Sequence, residues 1–424
     1  MSFLKEIRSK PLFKATSLNG ISILIKILIG FITSKIIAIF VGPSGMALVG
    51  NLRNFLTSTE AFATLGFENG VVKYVAEHKK DGDKLKQTLS TIFISVLVVC
   101  VFLSLVLFFF SDYFNQSVFG KQYPYAFIFK ALAIGLPFYI GNIFLIATIN
   151  GLGEFKKVIY INIIGNCIGL VVSVVLIWQL KTEGALLAII TTPSLLFLVS
   201  FLSINKEIKI FKAVNCKFYN LLFLKDLSSY SLMALVSAVF GPMVFLAIRK
   251  NIIATIGIDQ AGFWEAITRI SSYNFLFITS LIGIYFLPKL AVAKGHHETK
   301  SLFWEYYKGI LPLFVVAMVV LYLLRDFVVQ ILFTKEFMPV SKLFFWQLIG
   351  DTFKAASFIL GYQFYAKKLT KAFIFFELFS LAILYFSSVY FVSLYAIEGV
   401  VMGHALTYSI YFVVLCSYFR KSLF

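Results

Sequence analysis

Apolar runs long enough to cross a bilayer recur twelve times along this 424-residue chain, and no other feature restricts its fold as much. A spanning helix needs about 20 mostly apolar residues, and within lipid every backbone polar group must be paired inside the segment. The runs fall at 16–41, 44–72, 88–111, 125–150, 157–180, 184–204, 228–256, 261–288, 309–331, 341–366, 372–394 and 397–419. Only 14% of residues are charged and 60% are hydrophobic, far from the roughly half-apolar, quarter-charged balance of soluble domains. The expected fold class is an all-α polytopic membrane protein of twelve transmembrane helices.

The net charge of +18 raises nucleic acid as a partner, and its placement argues against one. With the N-terminus taken as cytoplasmic, the loops on that side hold 25 of the 38 basic residues. They are Lys5, Arg8, Lys10 and Lys14, Lys73 to Lys86, Lys156 and Lys157, Lys206 to Lys225, Lys289 to Lys308, Lys367 to Lys371, and Arg420 with Lys421. The other side has only Lys121, Lys181, Lys250, Arg325 and Lys335 as clear members. That bias orients the chain with both termini in the cytoplasm. The first apolar run is longer than a signal-peptide core and continues into a hairpin, so no cleaved signal is expected. The four cysteines are dispersed and no metal-ligand spacing appears. They read as small core hydrophobes. The pair His296–His297 reads as solvated loop, and the four histidines fall mainly in cytoplasmic loops. A phosphate-binding GxxxxGK[ST] loop is absent, which argues against ATP as the driver.

The polar stretch from Asn205 to Asp226 splits the helices six and six. This gives bundles at 1–204 and 228–424, joined by a cytoplasmic linker at 205–227. An even number per half keeps the second half in the first half's orientation, a parallel repeat with a pseudo-twofold axis along the membrane normal. Arg53 to Arg269 and Lys73 to Lys289 are each 216 residues apart, and Gly135 to Gly350 and Asn162 to Glu377 are each 215 apart. Pro137, Pro193, Pro242, Pro288 and Pro312 lie in or at the ends of predicted helices, where they bend or terminate them.

Charge at bilayer depth costs about 2.5–3.5 kcal/mol per residue on insertion scales, so it tends to mark a water-filled cavity. Arg53 and Arg269 sit at such depth in matched helices, an arrangement that suits a cavity holding an anion. On the second helix Arg53, Thr57, Glu60, Thr64 and Glu68 share one face if the helix runs unbroken, all within about 80°. Cavity wall is one reading; an Arg53–Glu60 staple between helices is the other, although seven residues, about 10 Å of helix, separate the two. Lys26 lies near the midplane of the first helix, on a stripe with Asn19, Ser22, Gly30 and Thr33. Lys35 reads as snorkelling to the interface. Arg249 and Lys250 either line the outer mouth or snorkel. The chain uses 32 lysines and only six arginines, yet Arg53, Arg249 and Arg269 fall within spans. Guanidinium binds phosphate through a two-pronged fork. Among acids within the spans, Glu60, Glu265, Asp351 and Glu377 are candidate coupling or cavity carboxylates. Glu265 is spaced to pair with Arg269, and Asp351 with Lys354; proton or Na⁺ exchange at one of them is the sharper reading.

The segments IAIFVGPSGMALVGNLRNF, ENGVVKYVAEH, MALVSAVFGPMVFLAIRKN, YFLPKLA, LLRDF and FFWQLIGDTFKAASFILGYQFYAKK resemble the Wzx-type polysaccharide flippases, the O-antigen and enterobacterial common antigen translocases of the multidrug/oligosaccharidyl-lipid/polysaccharide exporter superfamily. The resemblance covers nearly the whole chain. It implies a V-shaped pair of six-helix bundles around a cationic cavity in the bacterial inner membrane. The implied substrate is an undecaprenyl-diphosphate-linked oligosaccharide, moved from the cytoplasmic to the periplasmic leaflet. Arg53, Arg249 and Arg269, with Lys26, then become the residues expected to hold the diphosphate. The partners implied are that lipid-linked glycan, membrane lipids, and a polysaccharide polymerase with its chain-length regulator. No resident cofactor is expected, only a coupling H⁺ or Na⁺. A multidrug exporter of the same superfamily would call for an acidic cavity, and a polymerase for a long external loop bearing Arg or His. A scaffold in an assembly complex is a third alternative.

Overall fold

The computed structural model describes residues 11–204 and 214–423; the basic residues expected at 5–10 and 206–212 lie outside them. Among the described residues the secondary structure is entirely helical. α1 is Pro11–Phe40, α2 Gly42–Thr64, α3 Glu68–His78, α4 Gly82–Phe109, α5 Ser111–Val118, α6 Ala126–Gly151 and α7 Phe155–Ile204. After a short turn at Cys216–Phe218 follow α8 Leu221–Ile256 and α9 Ile258–Leu281, which passes through a wide π-type turn at Ile282–Phe286 into α10 Leu287–Val292. The chain then forms α11 Gly295–Gly309, α12 Leu311–Leu323, α13 Arg325–Leu332, a 3₁₀ stretch Lys335–Leu343, α14 Phe344–Ala366, α15 Thr370–Tyr418 and α16 Arg420–Leu423.

Helices cover each of the twelve predicted runs, in whole or in part, and among the described residues eight helices are long and apolar enough to cross a membrane. α7 and α15 each cover two runs, because each is broken once inside its length. The breaks fall at Lys181 (φ 48°, ψ −118°) and Ala396 (φ 49°, ψ −134°), 215 residues apart. A non-glycine residue in that region costs on the order of 1–3 kcal/mol and persists only where the surroundings enforce it. Here close approach enforces it. A Cβ on Gly184 would lie 1.9 Å from the Leu176 carbonyl oxygen, and one on Gly399 would lie 2.1 Å from that of Phe391. Both the glycines and the carbonyls repeat at an offset of 215. Gly135 and Gly350 repeat likewise: each is the point where its helix meets a side chain of the last helix in its half, Ser194 and His404 respectively.

The chain forms two compact units: Met1–Ile36 with Thr59–Leu235, and Ile37–Ser58 with Val236–Phe424. The division along the chain at 205–227 is thus not the division by contact, since most of α2, up to Ser58, belongs with the later helices. In the second unit a Cβ on Gly262 would lie 2.0 Å from the Pro43 carbonyl oxygen, so α2 and α9 cross backbone against backbone.

Two expectations change. Glu68 does not continue the α2 stripe: the helix ends at Thr64, Leu65 and Gly66 take positive φ (54° and 65°), and Glu68 opens α3. The predicted run 309–331 is likewise interrupted, at Ile310 and Leu324, and its first span extends back to Gly295.

Candidate functional site

The crossing at Gly262 sets α2 against α9 and brings their polar residues together with the end of α8. Glu265 lies at the centre. Arg249 Nη2 donates to its Oε2 at 2.6 Å and Arg269 Nε to its Oε1 at 2.9 Å, while Arg53 Nη1 lies 3.5 Å from Oε1. Asn51 Oδ1 accepts from Arg249 Nη1 at 3.3 Å. The Arg249 guanidinium also lies 5.1 Å from the Trp264 ring centroid, and Trp264 stacks on Phe245. Gly50 makes room for this: a Cβ there would be 2.4 Å from Glu265 Oε2 and 2.8 Å from Arg249 Cζ.

The charges in this cluster do not balance. Three guanidinium groups share one carboxylate, and Arg249, Arg269 and Glu265 are buried. Arg269 Nη2 and Arg249 Nε are buried without a hydrogen-bond partner. The Arg53 side chain is 46% exposed and is the accessible end of the cluster. A group with two or more anionic oxygens would complete it, since phosphate accepts from the guanidinium fork.

About one side of Trp264 lies a cavity of about 150 Å³, lined also by Thr268, Ser271, Gln347, Lys354 and His404. Beside it Asp351, fully buried, accepts at Oδ1 from Ser271 Oγ (2.8 Å) and Gln347 Nε2 (3.0 Å) and meets His404 Nε2 at 3.0 Å. Its Oδ2 has no partner.

The sequence-derived residues therefore separate. Arg53, Arg249, Arg269 and Glu265 come together, and the Glu265–Arg269 pair forms as spaced. The Asp351–Lys354 ion pair does not form: Lys354 Nζ lies over the Phe275 and Tyr408 rings at 4.8 and 5.1 Å, and Asp351 turns to neutral donors and the imidazole. Glu60 is held by the Tyr139 hydroxyl rather than by Arg53. Glu377 accepts from Ser237 Oγ at 2.5 Å. Lys26 is an exposed residue of α1, in the first unit. Asn51 and His404 were missed. His404 is buried within α15 and not in a loop; its position in the last apolar run, far from any basic loop, was the available signal.

Residues 12–291 match the family described as "Polysaccharide biosynthesis protein". The chain belongs to that family. It is 27% identical over 408 residues to the Lipid III flippase of Escherichia coli (strain K12), covering 96% of this chain and 98% of that protein, and equally to the Lipid III flippase of Shigella flexneri. The fold is that of a multidrug resistance MATE family transporter of the MOP superfamily, with a TM-score of 0.81 over 95% of this chain and 98% of that one, at 13% identity. A MOP superfamily transporter from Pyrococcus furiosus superposes with a TM-score of 0.73 over 97% and 95%, at 15% identity. This member of the polysaccharide biosynthesis family is thus a multi-pass membrane protein with a transporter fold.

Proposed function

We propose that the chain flips a diphosphate-linked lipid oligosaccharide, of the undecaprenyl type, from the cytoplasmic to the periplasmic leaflet of the bacterial inner membrane, with both termini in the cytoplasm. The observation that carries the reading is the unbalanced cluster: three arginines, one carboxylate and two unpartnered guanidinium nitrogens in apolar surroundings. Family membership and the flippase relatives support the same substrate class. Arg53 makes first contact with the diphosphate, and Arg249 and Arg269, fixed by Glu265, supply the field behind it. The lipid tail stays in the bilayer while the charged group crosses, so only the headgroup needs a desolvated cationic path. Lys26, in the first unit, is a further candidate for contacting an anionic headgroup. The cycle draws on a proton or Na⁺ gradient through Asp351, whose Oδ2 has no partner and whose neighbours Ser271, Gln347 and His404 line a cavity; Glu60 and Glu377 are the remaining carboxylates for that role. A polymerase and its chain-length regulator would consume the product.

The test is translocation of a short-chain diphosphate-linked sugar in proteoliposomes. Transport by the intact protein that falls at least tenfold in Arg53→Ala, with melting unchanged, supports both the function and the site. Transport that survives Arg53→Ala removes the site assignment. Its absence from the intact, folded chain across several glycans and with either gradient applied overturns the flippase reading.

A further inference from the structure

The short helices that follow the third and ninth spans, α5 (Ser111–Val118) and α13 (Arg325–Leu332), repeat each other at an offset of 214. Asp112, Gln116, Phe119 and Lys121 recur unchanged as Asp326, Gln330, Phe333 and Lys335, and Tyr113 recurs as Phe327. The breaks before them repeat as well. Phe110 (φ −102°, ψ 24°) separates α4 from α5, and Leu324 (φ −95°, ψ 9°) separates α12 from α13.

Around each helix the residues sort into three faces, in the same order. Ser111, Asn115 and Val118 are buried in the first unit, and Val329 and Leu332 in the second. With Tyr113 taken as zero, Asp112 and Gln116 fall at about −100° and −60°, Phe114 at about 100°, and the buried residues opposite. Around Phe327, Asp326 and Gln330 take the same polar places, with Ile331 and Val328 on the other side. All four polar residues of these stripes are exposed, and Tyr113 and Phe327 are 68% and 60% exposed. Each helix therefore has protein behind it, an apolar flank on one side and a polar flank on the other.

The apolar flank continues the lipid-facing surface of the span before it. Phe102, Leu105 and Phe109 of α4 are exposed, as are Val316, Val319 and Leu323 of α12, and Phe110 and Leu324 carry that surface across the breaks. A helix that simply prolonged a span would be apolar over its whole exposed arc. One lying along the boundary between headgroups and acyl chains is apolar on one flank and polar on the other. Lys121 and Lys335, both exposed just past the helix ends, are the residue type that keeps its ammonium in the headgroup layer.

We propose that α5 and α13 are matched interfacial helices, each lying at the headgroup–acyl boundary with Tyr113 or Phe327 turned to the acyl chains and the Asp–Gln stripe turned to water. The partner is the lipid surface itself, and each helix pins the end of its span at that depth. The placement is independent of the transported molecule and of which leaflet the third and ninth spans end in.

The experiment is spin-label accessibility of the full chain in phosphatidylcholine vesicles. Cys100, Cys167, Cys216 and Cys416 are replaced by alanine, and one cysteine is added at a time as Asp112→Cys, Tyr113→Cys, Asp326→Cys or Phe327→Cys. Labels at Tyr113→Cys and Phe327→Cys should favour collision with oxygen over a water-soluble nickel complex about threefold more than those at Asp112→Cys and Asp326→Cys. Equal nickel access at all four sites would place the helices in water and overturn the proposal. Oxygen preference at all four would make them plain continuations of the spans, and labels at Tyr113→Cys and Phe327→Cys shielded from both reagents would mark a protein partner on the apolar flank; either overturns it. If the cysteine-free background fails to fold, Tyr113→Trp and Phe327→Trp in the otherwise native chain give a second reading, taken as quenching beyond the parent's. Stronger added quenching by lipid brominated near the headgroup than by lipid brominated at the chain terminus supports the placement; no added quenching, or the reverse order, overturns it.

Discussion

The second unit holds two buried carboxylates whose surroundings are opposite in kind. Glu265 faces three guanidinium groups, whereas Asp351 faces a hydroxyl, an amide and an imidazole. At Glu265 the cations outnumber the anion, so the cluster gains from an anion brought from outside. At Asp351 one oxygen is satisfied by three neutral or ionisable donors and the other is open, an arrangement suited to taking up a small cation or proton. One carboxylate is therefore a counter-ion for basic residues, and the other is the residue proposed here for coupling.

The largest effect separating them is expected on removing each carboxylate. Glu265→Ala leaves buried guanidinium groups without a counter-ion and should cost about 3–5 kcal/mol, read as a fall in the melting temperature of the full chain in detergent. Asp351→Asn keeps the volume and an acceptor and should cost about 1–2 kcal/mol. Adding Arg249→Leu to Glu265→Ala should recover part of the loss, because the two changes share one interaction. Equal losses at Glu265 and Asp351, with no recovery, would dissolve the distinction.

Next in size is the glycine that lets the Glu265 cluster close. Gly50→Ala places a methyl 2.4 Å from Glu265 Oε2 and should cost about 1–3 kcal/mol. Gly241→Ala, also helical but with open space around it, should instead be neutral or gain up to about 1 kcal/mol from helix propensity. Melting of the two variants side by side checks the pair. A mild Gly50→Ala would show that the ion pairs have room to shift.

Function should separate the carboxylates differently from stability. Asp351→Asn removes the ionisable group while leaving the fold, so transport should lose its dependence on the applied gradient and flatten with pH. His404→Gln should shift that pH profile without abolishing it, since it keeps a hydrogen-bonding side chain beside Asp351. Proteoliposome transport measured across pH reads both; a profile identical to the parent's in Asp351→Asn would remove the coupling role.

The sequence made the helices legible because length and hydropathy alone impose them in lipid. It also made the repeat legible: the offset of 215 that linked Gly135 to Gly350 reappears in the breaks at Lys181 and Ala396 and in the glycines behind them. Three arginines within spans were visible by their rarity, and one spacing, Glu265 to Arg269, gave a contact. Only the family resemblance grouped Arg53 with Arg249; spacing did not, because their convergence depends on α2 crossing α9 at Gly262, a tertiary contact that no periodicity encodes. The Asp351–Lys354 expectation failed for a related reason. Spacing of three allows a pair, but the Lys354 ammonium lies over the Phe275 and Tyr408 rings, while Gln347 of the same helix, Ser271 and His404 serve one Asp351 oxygen. The stripe from Arg53 to Glu68 failed at Leu65 and Gly66, where a short turn ends the helix inside a run that stays apolar on average.

The smallest expected change in stability tests the sharpest part of the comparison, which lies within the Glu265 cluster itself. Arg249 and Arg269 are buried and hydrogen-bonded to Glu265, but Arg53 is half exposed and sits 3.5 Å from it. A charge so placed adds little to folding, so Arg53→Lys should alter the melting free energy by less than about 0.5 kcal/mol. Lysine retains the charge and loses the planar fork that meets two phosphate oxygens at once. Transport of a diphosphate-linked lipid should therefore drop by about tenfold, the equivalent of one charge-assisted hydrogen bond, or about 1.4 kcal/mol. The matching change at Arg269 should do the reverse and show first in melting, because its Nε already holds Glu265 at 2.9 Å. If Arg53→Lys instead melts early and transports normally, Arg53 belongs with the two structural arginines, and the surplus charge of the cluster must be met from another side.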